Sequence, residues 1–255
     1  MANNNWTREE HIVAFNLYCK IPFTKINENY LPVIELANII GRSKGAISRK
    51  LANFARLDPA LQARNVSGLT HGAKGEEIVW NEFHGNWEEL AFESEQILAG
   101  YKGIEIQSEV DLSDIPELRE GKERDAIVKT RINQNFFRDT ILASYDAKCC
   151  ITGINIPALL VASHIIPWSK NEKERMNPQN GLCLNALHDR AFDKGLITVT
   201  PDFIVKISEQ LLENDAKSDY NYFTPFHNNK IIQPLRFLPK RDFLEFHNNE
   251  IFIMS

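Results

Sequence analysis

Five residues between Cys149 and Phe203 have types and spacing that could do chemistry together: His164, Asn180, His188, Asp189 and Asp193. An imidazole with an ordinary pKa of about 6.5 is largely neutral near neutral pH, so His164 can accept a proton from water. Asp189 and Asp193 are four residues apart, which makes them neighbours on one helical face. Two carboxylates suit a hard cation such as Mg²⁺, which prefers oxygen ligands. Asn180 can donate and accept at once, so it can brace the base. A base, a brace and helix-borne ligands are what metal-assisted phosphodiester hydrolysis requires.

Each residue also has a plainer reading. A lone His after an apolar strand is commonly a core residue satisfied by one hydrogen bond. Asp193 in Asp193-Lys194-Gly195 fits a helix C-terminal turn, and His188 replaces Asp189 as ligand if the helix starts differently.

The elements that must position these groups follow from the pattern. Val161 to Ile166 reads as a strand whose pairing Pro167 ends, with His164 near its end. Asn180 opens a second strand through Gly181-Leu182. Leu196 to Ile207 alternates as a strand pair with Pro201-Asp202 at the turn. Upstream, a helix from Lys129 carries Phe136, Phe137, Ile141, Leu142 and Tyr145 on one side and Arg131, Gln134 and Arg138 on another. Arg175, with Lys170, Lys173 and Lys194, surrounds the candidate site and is suited to phosphate contacts.

The N-terminal part is helical. Thr7 and Glu10 form a capping-box signature for a helix ending near Pro22. A second helix, Pro32 to Ile40, stops at Gly41, and Ser43 caps a third that runs to Arg56 and is closed by Asp58-Pro59. Ala46, Ile47, Leu51 and Phe54 give the third helix an apolar face, while Ser48, Arg49 and Lys50 are expected to point outward. Helix, short Gly-containing turn, helix is the helix-turn-helix plan. Arg42, Lys44, Arg49 and Lys50 are then the DNA-binding candidates, joined further along by Arg131, Arg138 and Arg175. Gly68 to Gly72 reads as a loop, Glu76 to Leu98 as one helix, and Lys102 to Gly121 as an acidic linker.

The chain has 255 residues and a formal net charge of −5, so any nucleic-acid affinity must come from local charge rather than the sum. Gly41 to Arg56 holds five basic residues and no acid, and the acidic excess lies in the middle third. No window of about 18 apolar residues exists, which argues against a membrane span. The start is polar, with no secretory signal. The four cysteines (Cys19, Cys149, Cys150 and Cys183) form no disulfide framework, which points to reduced thiols in the cytoplasm. The expected organisation is α+β: a helical DNA-binding module over residues 1–100, a linker over 101–125 and a catalytic domain over 126–255.

The motif in its order and spacing resembles the HNH endonuclease family over about residues 128 to 204, and the N-terminal helices look like a Myb-like or winged-helix module over about residues 5 to 57. The first resemblance implies a ββα-metal fold, a two-stranded hairpin on one helix, with His164 as general base and Asn180 holding the hairpin and orienting the base. The family's helix ligands lie nine and thirteen residues after the Asn, at Asp189 and Asp193 here, while His188 stands one residue before the usual His and remains a candidate catalytic or metal residue. Ser163 departs from the Asp or His of many relatives. Thr152 stands where a second Cys of a zinc ribbon would follow Cys149, so no structural zinc is expected. Mg²⁺ or Mn²⁺ is the implied cofactor, double-stranded DNA the implied partner, and a homodimer the implied route to cutting both strands. The commonest setting for this architecture is restriction or phage defence. The alternatives are an inactive DNA-binding regulator on the same fold and an RNA-directed nuclease.

Overall fold

The computed structural model describes residues 5–66, 72, 74–109, 122–218 and 220–254. Most of the loop expected at Gly68 to Gly72 and most of the expected linker lie outside the described residues. The chain divides into two compact units, residues 1–140 and 141–255. The division falls inside a helix rather than in the segment 101–125.

The first unit is helical. Helix α1, Arg8–Lys20, starts at the capping box expected from Thr7 and Glu10. Helices α2, Leu31–Ile40, and α3, Lys44–Ala55, flank a turn in which Gly41 takes a left-handed φ of 69° and Ser43 caps α3. Asp58-Pro59 ends that helix and also begins a short one, α4, Pro59–Gln62, whose cap is Asp58. The single helix expected from Glu76 to Leu98 is two, α5 Lys74–Phe83 and α6 Trp87–Lys102. The break is at His84-Gly85-Asn86, where Gly85 has φ 96°, open only to a residue without a Cβ. Helix α1 packs against α2, α3, α5 and α6. Phe15 centres that core, 4.9 Å from Phe54 and 5.0 Å from Trp80 between ring centroids. Helix α7, Lys122–Ser144, runs across the division between the units.

The second unit holds the motif. After α7 the chain turns through Asp146 and Ala147, both at positive φ, into the buried Cys149-Cys150 pair. Strands β1, Leu160–His164, and β2, Gly181–Asn185, pair antiparallel, with His164 opposite Gly181 and Ser163 opposite Leu182. Helix α8, Ala186–Asp193, follows β2 without a loop and packs on both strands. A second hairpin, β3 Ile197–Val199 with β4 Val205–Ile207, agrees with the alternation read from the sequence. Helices α9, Glu209–Asp215, and α10, Arg241–Glu250, complete the unit, α10 lying on β3.

Gly195 ends α8 at φ 68° with the C-terminal segment directly against it; a Cβ there would lie 2.1 Å from the Ile251 carbonyl oxygen. The buried His247 of α10 ties that segment to the motif. It stacks on Phe192 at 3.7 Å and bonds the Thr198 hydroxyl at 2.7 Å. Among the described residues no helix is long and apolar enough to cross a membrane.

Candidate active site

His164 is the last residue of β1, half-buried at the mouth of the hairpin. Its Nε2 lies 2.9 Å from the Arg175 carbonyl oxygen. A carbonyl can only accept, so Nε2 carries the proton and the neutral ring has its lone pair at Nδ1. Burial lowers the imidazole pKa below its ordinary value, against the opposing pull of the Arg175 carbonyl and the Asp193 charge. The ring is therefore neutral at physiological pH, the form a base requires.

The loop that supplies this carbonyl is held by side chains the sequence does not advertise. Arg175 lays its guanidinium 5.0 Å from the Trp168 ring, donates to the Trp168 carbonyl at 2.9 Å and pairs with Glu172 at 3.1 Å. Trp168 in turn meets the His164 ring edge-on at 5.5 Å. Arg175, expected to contact phosphate, thus spends its donors within its own loop, and its backbone oxygen is the group that orients His164.

Asn180 is 0% exposed. It sits in the single 3-10 turn Pro178–Asn180 just before β2, not on the strand itself. Its Oδ1 accepts from the Ile166 N–H at 2.8 Å, and its Nδ2 faces the Ile166 and Glu174 carbonyls, each at 3.2 Å. Its side chain clasps both ends of the loop between the strands. Bonding to the His164 ring, the other role open to it, is not what these three contacts do.

Helix α8 presents the carboxylates. Asn185 caps it, its Oδ1 accepting from the His188 N–H at 3.0 Å, and this fixes the phase of every residue that follows. Asp189 and Asp193 fall on the side facing β1. Burial raises the pKa of both. For Asp189 the repulsion of Asp193 adds to this, while the Ser163 hydroxyl and Arg190 oppose it; for Asp193, Arg190, His164 and Lys194 oppose it. The Asp189 carboxylate approaches Ser163, although the buried Ser163 Oγ makes no hydrogen bond of normal geometry. Two mutually repelling, partly desolvated carboxylates fit a hard divalent cation. No group of three or more His, Cys, Asp and Glu among the described residues is close enough to hold a metal ion, so these two would leave most of an ion's sphere to water and substrate oxygen.

His188 turns elsewhere. Its Nδ1 lies 3.1 Å from Asn185 Oδ1, and its ring packs against Phe223 and Phe226 at 5.0 and 5.5 Å. Burial pushes its pKa down to about 4. The structure brings His164, Asp189 and Asp193 together and leaves His188 outside that group. Cys149, Cys150 and Cys183 are buried in the hairpin core.

The basic candidates of the first unit divide. Lys44 and Arg49 are exposed. Lys50, expected outward, points inward and is 5% exposed, paired with the fully buried Glu76 of α5. The reason is helical phase: Lys50 is three residues after Ile47 and four before Phe54, inside the apolar stripe. Its ammonium also lies 3.2 Å from His11 Nε2 and 4.6 Å from the Trp6 ring. Arg42 is bound through two nitrogens to Glu10 at 2.7 and 2.8 Å. Arg131 and Arg138 are half-exposed on α7.

Residues 149–200 match the family model HNH_2, described as HNH endonuclease. A comparison with curated proteins returns no match for the chain.

Proposed function

We propose, from the match of residues 149–200 to the HNH endonuclease family model, a divalent-metal-dependent DNA endonuclease whose working face is His164 with Asp189 and Asp193. The observation that carries the reading is the His164 ring, oriented by the Arg175 carbonyl and with its pKa lowered by burial, beside two carboxylates with raised pKa values. His164 accepts a proton from the water that attacks phosphorus, and the bond from phosphorus to the 3′ oxygen breaks, that oxygen taking a proton from solvent, to leave 5′-phosphate and 3′-hydroxyl ends. Asp189 and Asp193 would hold Mg²⁺ or Mn²⁺, which supplies electrostatic stabilisation of the phosphate and the leaving oxygen. Asn180 acts through the loop, fixing the peptide that orients His164. One such face breaks one strand, so a double-strand cut needs two copies or two successive nicks.

In the first unit, Lys44 and Arg49 remain as candidate phosphate contacts, and the helix pair α2–α3 is their scaffold. Lys50 and Arg42 serve the unit's own packing in this reading.

The test is cleavage of supercoiled plasmid by the full chain. Mg²⁺ should support nicking and a chelator should abolish it. Asp189→Ala and Asp193→Ala should each slow it by at least about tenfold, since a metal ion is worth several kcal/mol to the transition state. Cleavage that survives the chelator and both substitutions would sink the assignment. Cleavage confined to RNA would move the substrate and keep the site.

A further inference from the structure

Helix α8 has a second working side. A cavity of about 570 Å³ opens beside its first turn, lined by Thr152, Asn185, Leu187, His188, Tyr222 and Phe226 among others. That volume lies within the range of small-molecule sites. Among the described residues no charged side chain lines it. Leu187 and Tyr222, about half exposed, form part of its rim.

His188 is 3% exposed and forms part of the wall. Asn185 Oδ1 must be the oxygen, because it accepts the His188 backbone N–H as the helix cap. It therefore also accepts the Nδ1 proton of the ring, and Nε2 is left as the acceptor. That Nε2 is buried and has no hydrogen-bond partner among the described residues. Buried acceptors in folded proteins are nearly always matched, and one that the chain leaves unmatched beside a cavity calls for a donor from outside. Close by, the Thr152 hydroxyl accepts from Asn185 Nδ2 at 3.2 Å, which leaves its own proton to donate. The wall thus offers an unmatched acceptor at His188, a donor at Thr152, the polar groups of Asn221 and Tyr222, aromatic rings and no charge.

We propose that this cavity is a nucleobase-binding site, in which an uncharged planar heteroaromatic ring packs on Phe226 and Tyr222 and donates an edge N–H to Nε2 of His188. Stacking on aromatic rings combined with one or two edge hydrogen bonds is how unpaired bases are held. A phosphate has no cation in the lining to meet it and stays outside. The same chemistry arrives in two ways, on a free nucleoside or on a base of a single strand. The inference does not depend on the nuclease reading, because the cavity uses neither His164 nor the two carboxylates.

The experiment is isothermal titration of the full chain with adenosine, guanosine, cytidine and thymidine, and separately with a single-stranded deoxyoligonucleotide. At least one of these should bind saturably. Methylating the donating nitrogen of the best nucleoside, or of the corresponding base in the oligonucleotide, should weaken binding about tenfold, the loss of one hydrogen bond to a buried acceptor. Tyr222→Ala, at a half-exposed position and checked by circular dichroism for a native fold, should weaken it about five- to hundredfold, the loss of one stacking ring. His188→Phe, checked by circular dichroism for a native fold, should bind the methylated and unmethylated forms alike. His164→Ala should bind as the parent does, which separates this site from the cleavage face. Nucleoside binding assigns the site to a free ligand, and binding of the oligonucleotide alone assigns it to a strand. No binding by either at millimolar concentration, or binding indifferent to both methylation and Tyr222→Ala, overturns the proposal.

Discussion

Replacing Asn180 by Ala should do more damage than any substitution of an exposed residue in the second unit. The side chain is wholly buried and makes three hydrogen bonds to the loop that carries Arg175. Glu174's carbonyl keeps a second donor, the Asn177 N–H at 3.3 Å. The Ile166 N–H and carbonyl lose the Asn180 partner and are left buried. Each orphaned buried group costs about 1–3 kcal/mol, so the loss is about 3 kcal/mol. For a unit of this size that is a fall in melting temperature of roughly 10 °C. Asn180→Asp keeps the acceptor for Ile166 but sets a carboxylate against two carbonyls, and should be at least as damaging. Hydrogen exchange followed by mass spectrometry gives the local readout: the peptide containing Ile166 should exchange roughly a hundredfold faster in Asn180→Ala. Cleavage should fall with it, because the Arg175 carbonyl is no longer fixed. If Asn180→Ala melts within about 2 °C of the parent and the Ile166 amide keeps its protection, the clasp is not what holds the loop.

Stability should also depend on pH in a defined window. His188 and His247 have folded pKa values of about 4, below the ordinary imidazole value, so between about pH 6.5 and 4 the unfolded chain takes up protons that the folded chain does not. Each should cost about 3 kcal/mol across that window on the way down, visible as a melting temperature that drops in acid; a flat profile would mean the rings are not buried as described. In the first unit, Lys50→Ala strands the fully buried Glu76 and should cost about 3–5 kcal/mol in chemical denaturation, while Lys50→Met with Glu76→Leu should recover most of it. Arg49→Ala should leave stability unchanged and, where α3 meets DNA, reduce the log–log salt slope of binding by about 0.9; an unchanged slope would make α3 a packing element.

The sequence was most legible where one residue type answers one local need. Thr7 and Ser43 announced helix starts because a cap hydroxyl serves amides within the next turn. The strand around His164 and the hairpin after Leu196 follow from the apolar pattern, and the pair Asp189 and Asp193 from the spacing of the family it resembles. What was not legible depends on distant partners or on the backbone. Lys50 reads as a surface charge because its partner Glu76 lies 26 residues away on another helix. The group that orients His164 is a carbonyl, and carbonyls have no letter. The choice between His188 and Asp189 is readable from Asn185, which as cap fixes the helix phase and sends the two residues to different sides. The break between α5 and α6 is readable from Gly85.

The central claim, that His164 works as the base of a phosphodiester-cleaving face, is tested most directly by single-turnover cleavage of plasmid DNA with Mg²⁺ by the parent and by His164→Ala. The substitution should slow cleavage by about 10²–10⁴-fold while DNA binding and the melting temperature stay near the parent's. A His164→Ala protein that cuts within about threefold of the parent would contradict the account.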